Sequence, residues 1–298
     1  MIDLRGMMTE SRNPASMNID EMTALEIVTV MNSEDMKVPQ AIKCQLPNVA
    51  QAVDCCVEGI KAGGRIIYIG AGTSGRLGIV DASECPPTYG VSPDLVVGLM
   101  AGGMKAMVQA VEGAEDSKEL CVEDLKKLNL KKEDTVVGIA ASGRTPYVIG
   151  GLEYANSLGC STVSIACNAN SAIGKVAKVK IEVVVGPEVV TGSTRLKAGT
   201  AQKLILNMIT TATMVRLGKC YQNLMVDGAQ TNAKLKVRAQ NIVIDATGVD
   251  RETAIDVLEK AEGRVKYAIV MILADCSCEE AKRRLAATDG YVRRAVQL

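Results

Sequence analysis

The stretch Arg65-Ile-Ile-Tyr-Ile-Gly70, continued by Ala-Gly-Thr-Ser-Gly75, decides the fold. Its first half is a short run of branched and aromatic apolar residues, which is typical of a buried strand. The second half, rich in glycine and hydroxyl groups, predicts a turn. The residues after it predict a helix over 76–84 that ends at Pro86 and Pro87. A strand, a glycine-rich turn and a helix in this order predict the first unit of a parallel sheet.

The same alternation continues along the chain. Apolar runs predict further strands at 95–100, 135–140, 161–166 and 181–185. The segments between and after them predict helices at 105–112, at 118–128, from the end of the turn Ser142–Thr145 to Ser157, and at 197–217. Alternating strands and helices imply an α/β fold, with a parallel sheet covered on both faces. In such sheets ligands bind outside the carboxyl ends of the strands.

The two ends of the chain predict helices alone. Near the N-terminus, Asn18-Ile-Asp20 predicts the cap of a helix over 21–32. From about Ala239 onward the pattern predicts three short amphipathic helices, with Gly248 and Gly263 as breaks. We therefore expect a small helical domain after the sheet.

Composition narrows the class of protein. The 298 residues carry 34 basic and 34 acidic side chains, so no overall charge attracts nucleic acid or an anionic membrane. No apolar run reaches the length of a membrane span, and the first residues lack the apolar core of a secretory leader. Ten cysteines without metal-ligand spacing favour a reduced, cytoplasmic protein. Because the chain has no histidine, any general acid or base is Glu, Asp, Lys, Tyr or Cys.

Two turns at predicted strand ends favour an anion site. Thr73 and Ser74 supply hydroxyl groups in the first turn, and Ser142, Gly143, Arg144 and Thr145 form the second. Glycines allow close backbone approach, and the helix that follows each turn offers unpaired N–H groups to a phosphate. The alternative is that both turns are ordinary helix caps.

The first turn also matches the G-x-G-x-x-G pattern of dinucleotide-binding proteins. That pattern needs an acidic residue at the end of the second strand, for the ribose. Here the second strand ends in Met100-Ala-Gly-Gly103, and Asp94 stands at its other end. The sequence therefore favours phosphate capture over nucleotide binding.

Several long blocks resemble the N-acetylmuramic acid 6-phosphate etherase family. They are GAGTSGRLGIVDASECPPTYG at 70–90, VEGAEDS at 111–117, AASGRTPY at 140–147, VVTGSTRLKAGTAQK at 189–203 and NLMVD at 223–227, with Thr9-Glu10, Asn13, Ser16 and Ile19-Asp20 before them. The resemblance covers nearly the whole chain. It implies an N-terminal helical segment over 1–50, a flavodoxin-like sugar isomerase (SIS) domain over 51–235 that binds phosphosugars, and a small helical domain over 236–298.

The resemblance also implies a reaction. Its substrate is N-acetylmuramic acid 6-phosphate, whose D-lactyl ether is cleaved to N-acetylglucosamine 6-phosphate and D-lactate in cell-wall recycling. The steps need a base at C2 of the open-chain sugar and an acid at the ether oxygen, which then activates water. Two carboxylates in different environments can divide this work, and no metal or redox cofactor is required.

The resemblance places the two catalytic glutamates at Glu84 and Glu115. We assign Glu84 to protonation of the departing lactate and activation of water, and Glu115 to proton transfer at C2. Asp81, Glu112 and Asp116 stand nearby, and the residue pattern alone does not separate the five. A general acid at neutral pH needs a raised pKa, so we expect Glu84 to be largely buried.

A third polar block, over 188–197, precedes the long helix. One interpretation is that Ser193, Arg195 and Lys197 bind the lactyl carboxylate or the sugar, while Glu188 contacts sugar hydroxyls. The other is ordinary helix capping and surface charge. The family resemblance further implies a homodimer. We expect the apolar 197–217 helix and the N-terminal helical segment to supply its two-fold interface.

Two rival functions share this fold. A non-catalytic phosphosugar-binding regulator, resembling the glucokinase regulatory protein, would keep the phosphate turns without the chemistry. An aldose–ketose isomerase of the SIS type would keep the turns and the base at C2. The presence of both glutamates in their full local blocks favours the etherase.

Overall fold

A five-stranded parallel sheet organises the chain. The computed structural model describes residues 6–109, 111–228 and 233–298. The strands are β1 (Ile66–Gly70), β2 (Val96–Met100), β3 (Thr135–Ile139), β4 (Ser161–Ala166) and β5 (Val179–Glu182). Their order is β2-β1-β3-β4-β5, with every neighbouring pair parallel. This is the flavodoxin-like order, and it confirms the predicted fold class.

The core explains why these segments form strands. Ile66, Ile67, Tyr68 and Ile69 of β1 are each 0% exposed, so both faces of the strand are covered. Gly70 at the end of β1 pairs with Met100 of β2 on one side and Ile139 of β3 on the other. The loops that follow these three strands therefore emerge from one edge of the sheet.

In the described ranges, eight α-helices accompany the sheet. They are α1 (Ala24–Asp35), α2 (Lys37–Lys43), α3 (Leu46–Lys61), α4 (Gly72–Tyr89), α5 (Lys118–Lys127), α6 (Pro146–Ser157), α7 (Ala172–Val176) and α8 (Lys197–Arg216). The predicted helices over 118–128, up to Ser157 and over 197–217 are confirmed. The N-terminal helix begins later than predicted, because Thr23 and Glu26 form a capping box, whereas Asn18 precedes only a 3-10 turn and makes no side-chain cap.

Three other local predictions are wrong. Helix α4 starts at Gly72 and continues through Pro86 and Pro87, which occupy its last turn, and it ends before Gly90 (φ +62°). The predicted helix over 105–112 is replaced by a 3-10 turn, Gly103–Met107, since Gly102 and Gly103 both have positive φ. The last strand, predicted at 181–185, lies instead at Val179–Glu182.

The chain divides into two compact units. Met1–Ser83 with Asp94–Thr210 forms the first, and Glu84–Pro93 with Thr211–Leu298 forms the second. The second unit holds a short hairpin of β6 (Cys220–Tyr221) and β7 (Leu224–Met225) and the helices α9 (Ala233–Thr247), α10 (Arg251–Lys260), α11 (Val265–Leu273), α12 (Cys278–Ala287) and α13 (Val292–Gln297). The predicted three C-terminal helices are thus five, although Gly248 and Gly263 do separate helices, with φ of +79° and +74°.

A partly buried ion cluster lies inside the second unit. Lys266 Nζ donates to Asp227 Oδ2 at 2.6 Å and to the Gly218 carbonyl at 2.9 Å. Lys219 approaches the same carboxylate at 3.3 Å. Burial lowers the pKa of Lys266, and the neighbouring Asp227 opposes that shift. The block Asn223–Asp227 therefore serves here to join the hairpin to α11.

Two further structural facts bear on the sequence predictions. All ten cysteines are free thiols. Every helix in the described ranges falls short of the length or the apolar character that crossing a bilayer requires.

Candidate active site

The turn after β1 is the first turn of a helix rather than a separate loop. Helix α4 begins at Gly72, so Thr73 and Ser74 lie among the residues whose N–H groups have no partner within the helix. Ser74 is 6% exposed, and its hydroxyl donates to Gln202 Oε1 at 2.9 Å. Thr73 remains partly exposed. Of the two predicted hydroxyl groups, Thr73 is therefore the more accessible to a ligand.

The turn after β3 is held in a left-handed conformation. Gly143 has φ of +72°, and a Cβ there would lie 2.4 Å from the Cβ of Ser171, so only glycine fits. The Ser142 hydroxyl accepts from the N–H of Arg144 at 3.3 Å, and Thr145 directly precedes α6. Because β1 and β3 are neighbours, both predicted turns follow adjacent strands at the switch point of the sheet.

A cleft of about 250 Å³ lies at this edge, in the first unit. Its lining includes Gly72, Arg76, Met100, Ala101, Glu112 and Glu115. Glu112 and Glu115 are both exposed, and Glu115 stands in the short 3-10 turn Ala114–Asp116. The structure thus brings one of the two predicted catalytic glutamates to the edge where the first predicted phosphate turn begins.

Arg76 is a residue that sequence reasoning missed. Its Nε donates to the Met107 carbonyl at 2.9 Å and its Nη2 to the Ala106 carbonyl at 2.7 Å. The guanidinium therefore holds the segment that leads to Glu115 against the start of α4. These contacts join residues 30 and 31 positions apart, so no local pattern reveals them.

Glu84 lies in the second unit, near the end of α4, and is exposed. The predicted burial is therefore wrong for the single chain. Cys85 and Tyr89, four residues apart on the helix, are 2% and 8% exposed and occupy its buried stripe. Glu84 stands outside that stripe and faces solvent.

Asp81 is the buried carboxylate of this motif. It is 9% exposed, and its oxygens accept from the Tyr68 hydroxyl at 2.9 Å and the Thr210 hydroxyl at 3.1 Å. Burial raises the pKa of Asp81, and the two hydroxyl donors partly oppose the shift. The buried carboxylate of this motif is thus one helical turn before Glu84.

The third predicted block is divided between buried and accessible residues. Glu188 is 1% exposed and accepts from the N–H groups of Lys197 and Ala198, at 3.0 and 2.9 Å. It therefore caps α8, as one of the two interpretations predicted. Burial raises the pKa of Glu188, while the two backbone donors lower it. Ser193 is half-buried and Arg195 is exposed.

Lys197 is also engaged inside the protein. Its Nζ lies 2.5 Å from Glu34 Oε2, with side-chain exposures of 2% and 5%. Burial alone would raise the pKa of Glu34, but hydrogen bonds from Lys197, Lys37 and Asn13 bring it down to about 2. A cleft of about 170 Å³ adjoins this pair, and Glu188 and Arg195 are among its lining residues.

The described residues hold no group of three or more cysteine, aspartate or glutamate side chains arranged to bind a metal ion. The chemistry that the described groups offer is that of carboxylates, hydroxyls and backbone N–H donors.

Comparison with known proteins gives two family matches. The model of the glucokinase regulatory protein N-terminal SIS domain matches residues 48–156, and the SIS domain model matches residues 104–212. Among solved structures, a candidate phosphosugar isomerase involved in capsule formation from Bacteroides fragilis aligns with a TM-score of 0.51 and 21% identity, covering 66% of this chain and 94% of its own. A protein of E. coli CFT073, solved as a ligand complex, aligns with a TM-score of 0.50 and 15% identity, covering 68% and 97%. These likenesses show the fold.

Sequence relatives cover almost the whole chain. The N-acetylmuramic acid 6-phosphate etherase of an Exiguobacterium species is 61% identical over 97% of this chain and 98% of its own. The enzyme of that name from Clostridium beijerinckii is 56% identical over 99% and 97%, and etherase 2 of Vibrio parahaemolyticus is 57% identical over 99% and 98%. The chain belongs to the N-acetylmuramic acid 6-phosphate etherase family.

Proposed function

We propose that this chain is a carbon–oxygen lyase that cleaves the D-lactyl ether of N-acetylmuramic acid 6-phosphate. The products are N-acetylglucosamine 6-phosphate and D-lactate. The observation that carries the proposal is the 56–61% identity to etherases along nearly the full length of both chains. The match to the regulatory-protein model spans 48–156 only, so the regulator is the weaker alternative.

The reaction proceeds by elimination and hydration. In the open-chain sugar a base removes the proton at C2, which is acidic because it lies α to the aldehyde. The C3–oxygen bond then breaks, and the departing lactate takes up a proton. Water adds at C3 of the unsaturated aldehyde, and C2 is reprotonated. The overall change is one water consumed and one ether bond cleaved.

We assign the two proton-transfer roles to glutamates. Glu115 exchanges the proton at C2, which is supported by its place in the cleft beside Gly72 and the start of α4. Glu84 protonates the lactate oxygen and activates the water. Since Glu84 is exposed in the single chain, this role requires that substrate or a second copy of the chain covers it.

The two turns supply the phosphate site in this proposal. Thr73, Ser74, Ser142 and the backbone around Gly143 bind the phosphate oxygens, together with Arg144 and Thr145. The support is that both turns follow adjacent parallel strands and that each leads into a helix N-terminus. Ser193 and Arg195 are then the accessible candidates for the lactyl carboxylate, while Glu188 and Lys197 act mainly by shaping the start of α8.

We also propose a homodimer that works in the cytoplasm, in the recycling of cell-wall sugars. Helix α1 supports the dimer, because Leu25 and Val28 on it are 75% and 55% exposed and Met36, just beyond it, is 64% exposed. Apolar side chains in that number on one short segment favour a covered surface. The ten free cysteines fit a reducing compartment.

One assay separates the candidate functions. Purified protein is incubated with N-acetylmuramic acid 6-phosphate, and D-lactate and any ketose are measured. The etherase releases lactate, an isomerase forms a ketose, and a regulator binds the sugar without either product. Binding without lactate would refute the proposed activity.

Two variants test the assigned roles in the same assay. Glu84→Gln should stop lactate release while still exchanging the C2 hydrogen with deuterium from solvent. Glu115→Gln should lose that exchange as well. Full turnover by either variant would refute its assignment.

A further inference from the structure

The first described residues form a segment that is fastened to the sheet by polar side chains. We call residues 7–16 the N-terminal strap. Thr9, Asn13 and Ser16 are 1%, 5% and 7% exposed, although each carries a polar side chain. Buried polar groups are stable only when they are hydrogen-bonded, so their partners show what the strap is built to contact.

The partner at the start of the strap is Asn168, which follows β4 and is 6% exposed. Its Oδ1 accepts from the N–H groups of Met8 at 2.8 Å and Thr9 at 3.4 Å. Its Nδ2 donates to the Thr9 hydroxyl at 3.0 Å. The same Nδ2 lies 3.3 Å from the carbonyls of Ala141 and Ser142. One amide group thus joins the strap to the turn after β3.

The turn is held on its other sides by backbone contacts. The Ala141 carbonyl also accepts from the N–H of Cys167 at 2.9 Å, and the Gly143 carbonyl from Ile173 at 3.0 Å. Ser171 closes the space beside Gly143. The Asn168 amide and the Thr9 hydroxyl complete this enclosure on the side of the strap.

The far end of the strap contacts a second polar loop. Asn13 Nδ2 donates to the Pro187 carbonyl at 2.9 Å, and the Ser16 hydroxyl donates to the Val189 carbonyl at 2.8 Å. These residues flank Glu188, which caps α8. The strap therefore connects the turn after β3 with the loop that leads into α8.

We propose that Asn168, together with Thr9 of the strap, is a positioning residue for phosphate binding. It fixes the carbonyls of Ala141 and Ser142, and so sets the direction of the N–H and hydroxyl groups in the Ser142–Thr145 turn. Asn168 does not itself contact the phosphate. The proposal rests on the proposed function in one respect, that this turn binds the phosphate of the substrate.

The substitution Asn168→Leu tests the proposal, because it keeps a similar volume, removes both hydrogen-bonding ends and adds no charge that could repel phosphate directly. Thr9→Val is the milder second variant, since it removes one hydroxyl and preserves shape. Asn156→Leu is the matched control. Asn156 also bridges two segments by its amide, to the Val176 carbonyl and the Thr162 hydroxyl, but at the end of α6 and the start of β4.

Binding of inorganic phosphate is measured by calorimetry on each full-length protein, beside KM and kcat for lactate release. Asn168→Leu should weaken phosphate binding and raise KM about tenfold, because the loss of one set of buried hydrogen bonds lowers affinity by about a factor of ten. The kcat of this variant should stay within about threefold of that of the unchanged protein. Thr9→Val should give about a threefold effect in the same direction. Asn156→Leu should lower the melting temperature without changing the phosphate affinity or KM.

Two results would overturn the proposal. Phosphate binding by Asn168→Leu equal to that of the unchanged protein is one, and an equal loss in Asn156→Leu is another. If Asn168→Leu does not fold, Thr9→Val decides by the same phosphate measurement. Calorimetry requires no lactate release, so failure of the proposed lyase activity and failure of the positioning role are distinguished.

Discussion

Two groups of charged residues that look alike in the sequence differ in the structure. Glu112 and Glu115 are exposed around a cleft at the end of the first strands. Glu34, Glu188 and Lys197 are 3%, 1% and 1% exposed, with their charges met by one another or by backbone N–H groups. The exposed carboxylates are available to a substrate, whereas the buried charges hold the N-terminal helix and the start of α8 in place. Burial therefore distinguishes charged residues that can act on a substrate from charged residues that stabilise the fold.

Replacing Glu115 tests the chemical half of this comparison. Glu115→Gln should lower kcat about 10⁴-fold, since it removes a group that moves a proton in the reaction. The melting temperature should stay within about 2 °C, because the side chain is exposed. Glu112→Gln, in the same cleft, is the control and should keep most activity. If both variants lose activity equally, the cleft acts through its charge rather than through one residue.

Replacing Lys197 tests the supporting half. Lys197→Met leaves Glu34 buried without its 2.5 Å partner and should cost about 3–4 kcal/mol of unfolding free energy in urea. Lys37→Met removes the other cation on Glu34, whose own side chain is 61% exposed, and should cost less than about 1 kcal/mol. Equal losses in the two variants would contradict the idea that burial decides the role.

The pH dependence of stability should follow the same division. Glu34 has a pKa of about 2 in the folded chain against an ordinary value of 4.5. A lowered carboxyl pKa contributes stability that is fully present above pH 4.5 and is lost as the pH falls toward 2, here about 3 kcal/mol. Urea unfolding at about pH 6 and about pH 3 should show part of this loss, about 1–2 kcal/mol, because pH 3 still lies above the folded pKa, and Glu34→Gln should remove it. An unchanged pH profile in that variant would assign the loss to other carboxylates.

Arg76 combines features of both groups. It lines the cleft, but its guanidinium supports the backbone at Ala106 and Met107. Arg76→Lys cannot hold two carbonyls with a planar fork, so kcat/KM should fall about tenfold through misplacement of the Glu115 segment. Arg65→Lys is the matched control. Arg65 pairs with Asp134 through two nitrogens and lies just before β1, at the opposite edge of the sheet. It should lose stability without a change in kcat/KM.

The sequence is enough to predict the sheet because its signals are local. The apolar run at 65–70 predicts β1, which is confirmed. The helix after it is also present, but it starts at Gly72, inside the predicted turn, rather than at residue 76. Pro86 and Pro87 mislead about where the helix ends, because each removes only its own N–H bond and α4 continues through them to Tyr89. The predicted helix over 105–112 fails because Gly102 and Gly103 impose positive φ.

The site is less accessible to sequence reasoning because it is assembled from distant parts. A lysine at the first position of a helix predicts a surface charge, yet Lys197 is buried against a residue 163 positions earlier. Asn168 and Arg76 carry no local pattern at all. Family resemblance supplied Glu84 and Glu115, and their catalytic roles stay predictions. The two hydroxyl-rich turns are the part of the site that the residue pattern and the chemistry of anion binding predict together.

The strap has a consequence for the order in which the molecule matures. Its hydrogen-bond partners lie 159 to 174 residues further along the chain. During synthesis the first residues leave the ribosome long before Asn168 and Val189 exist, so they must wait for nearly two thirds of the polypeptide. Contacts of such long sequence separation close late in folding. The strap therefore packs onto the sheet as one of the last steps of folding, and the turn after β3 reaches its working geometry only after the sheet is complete.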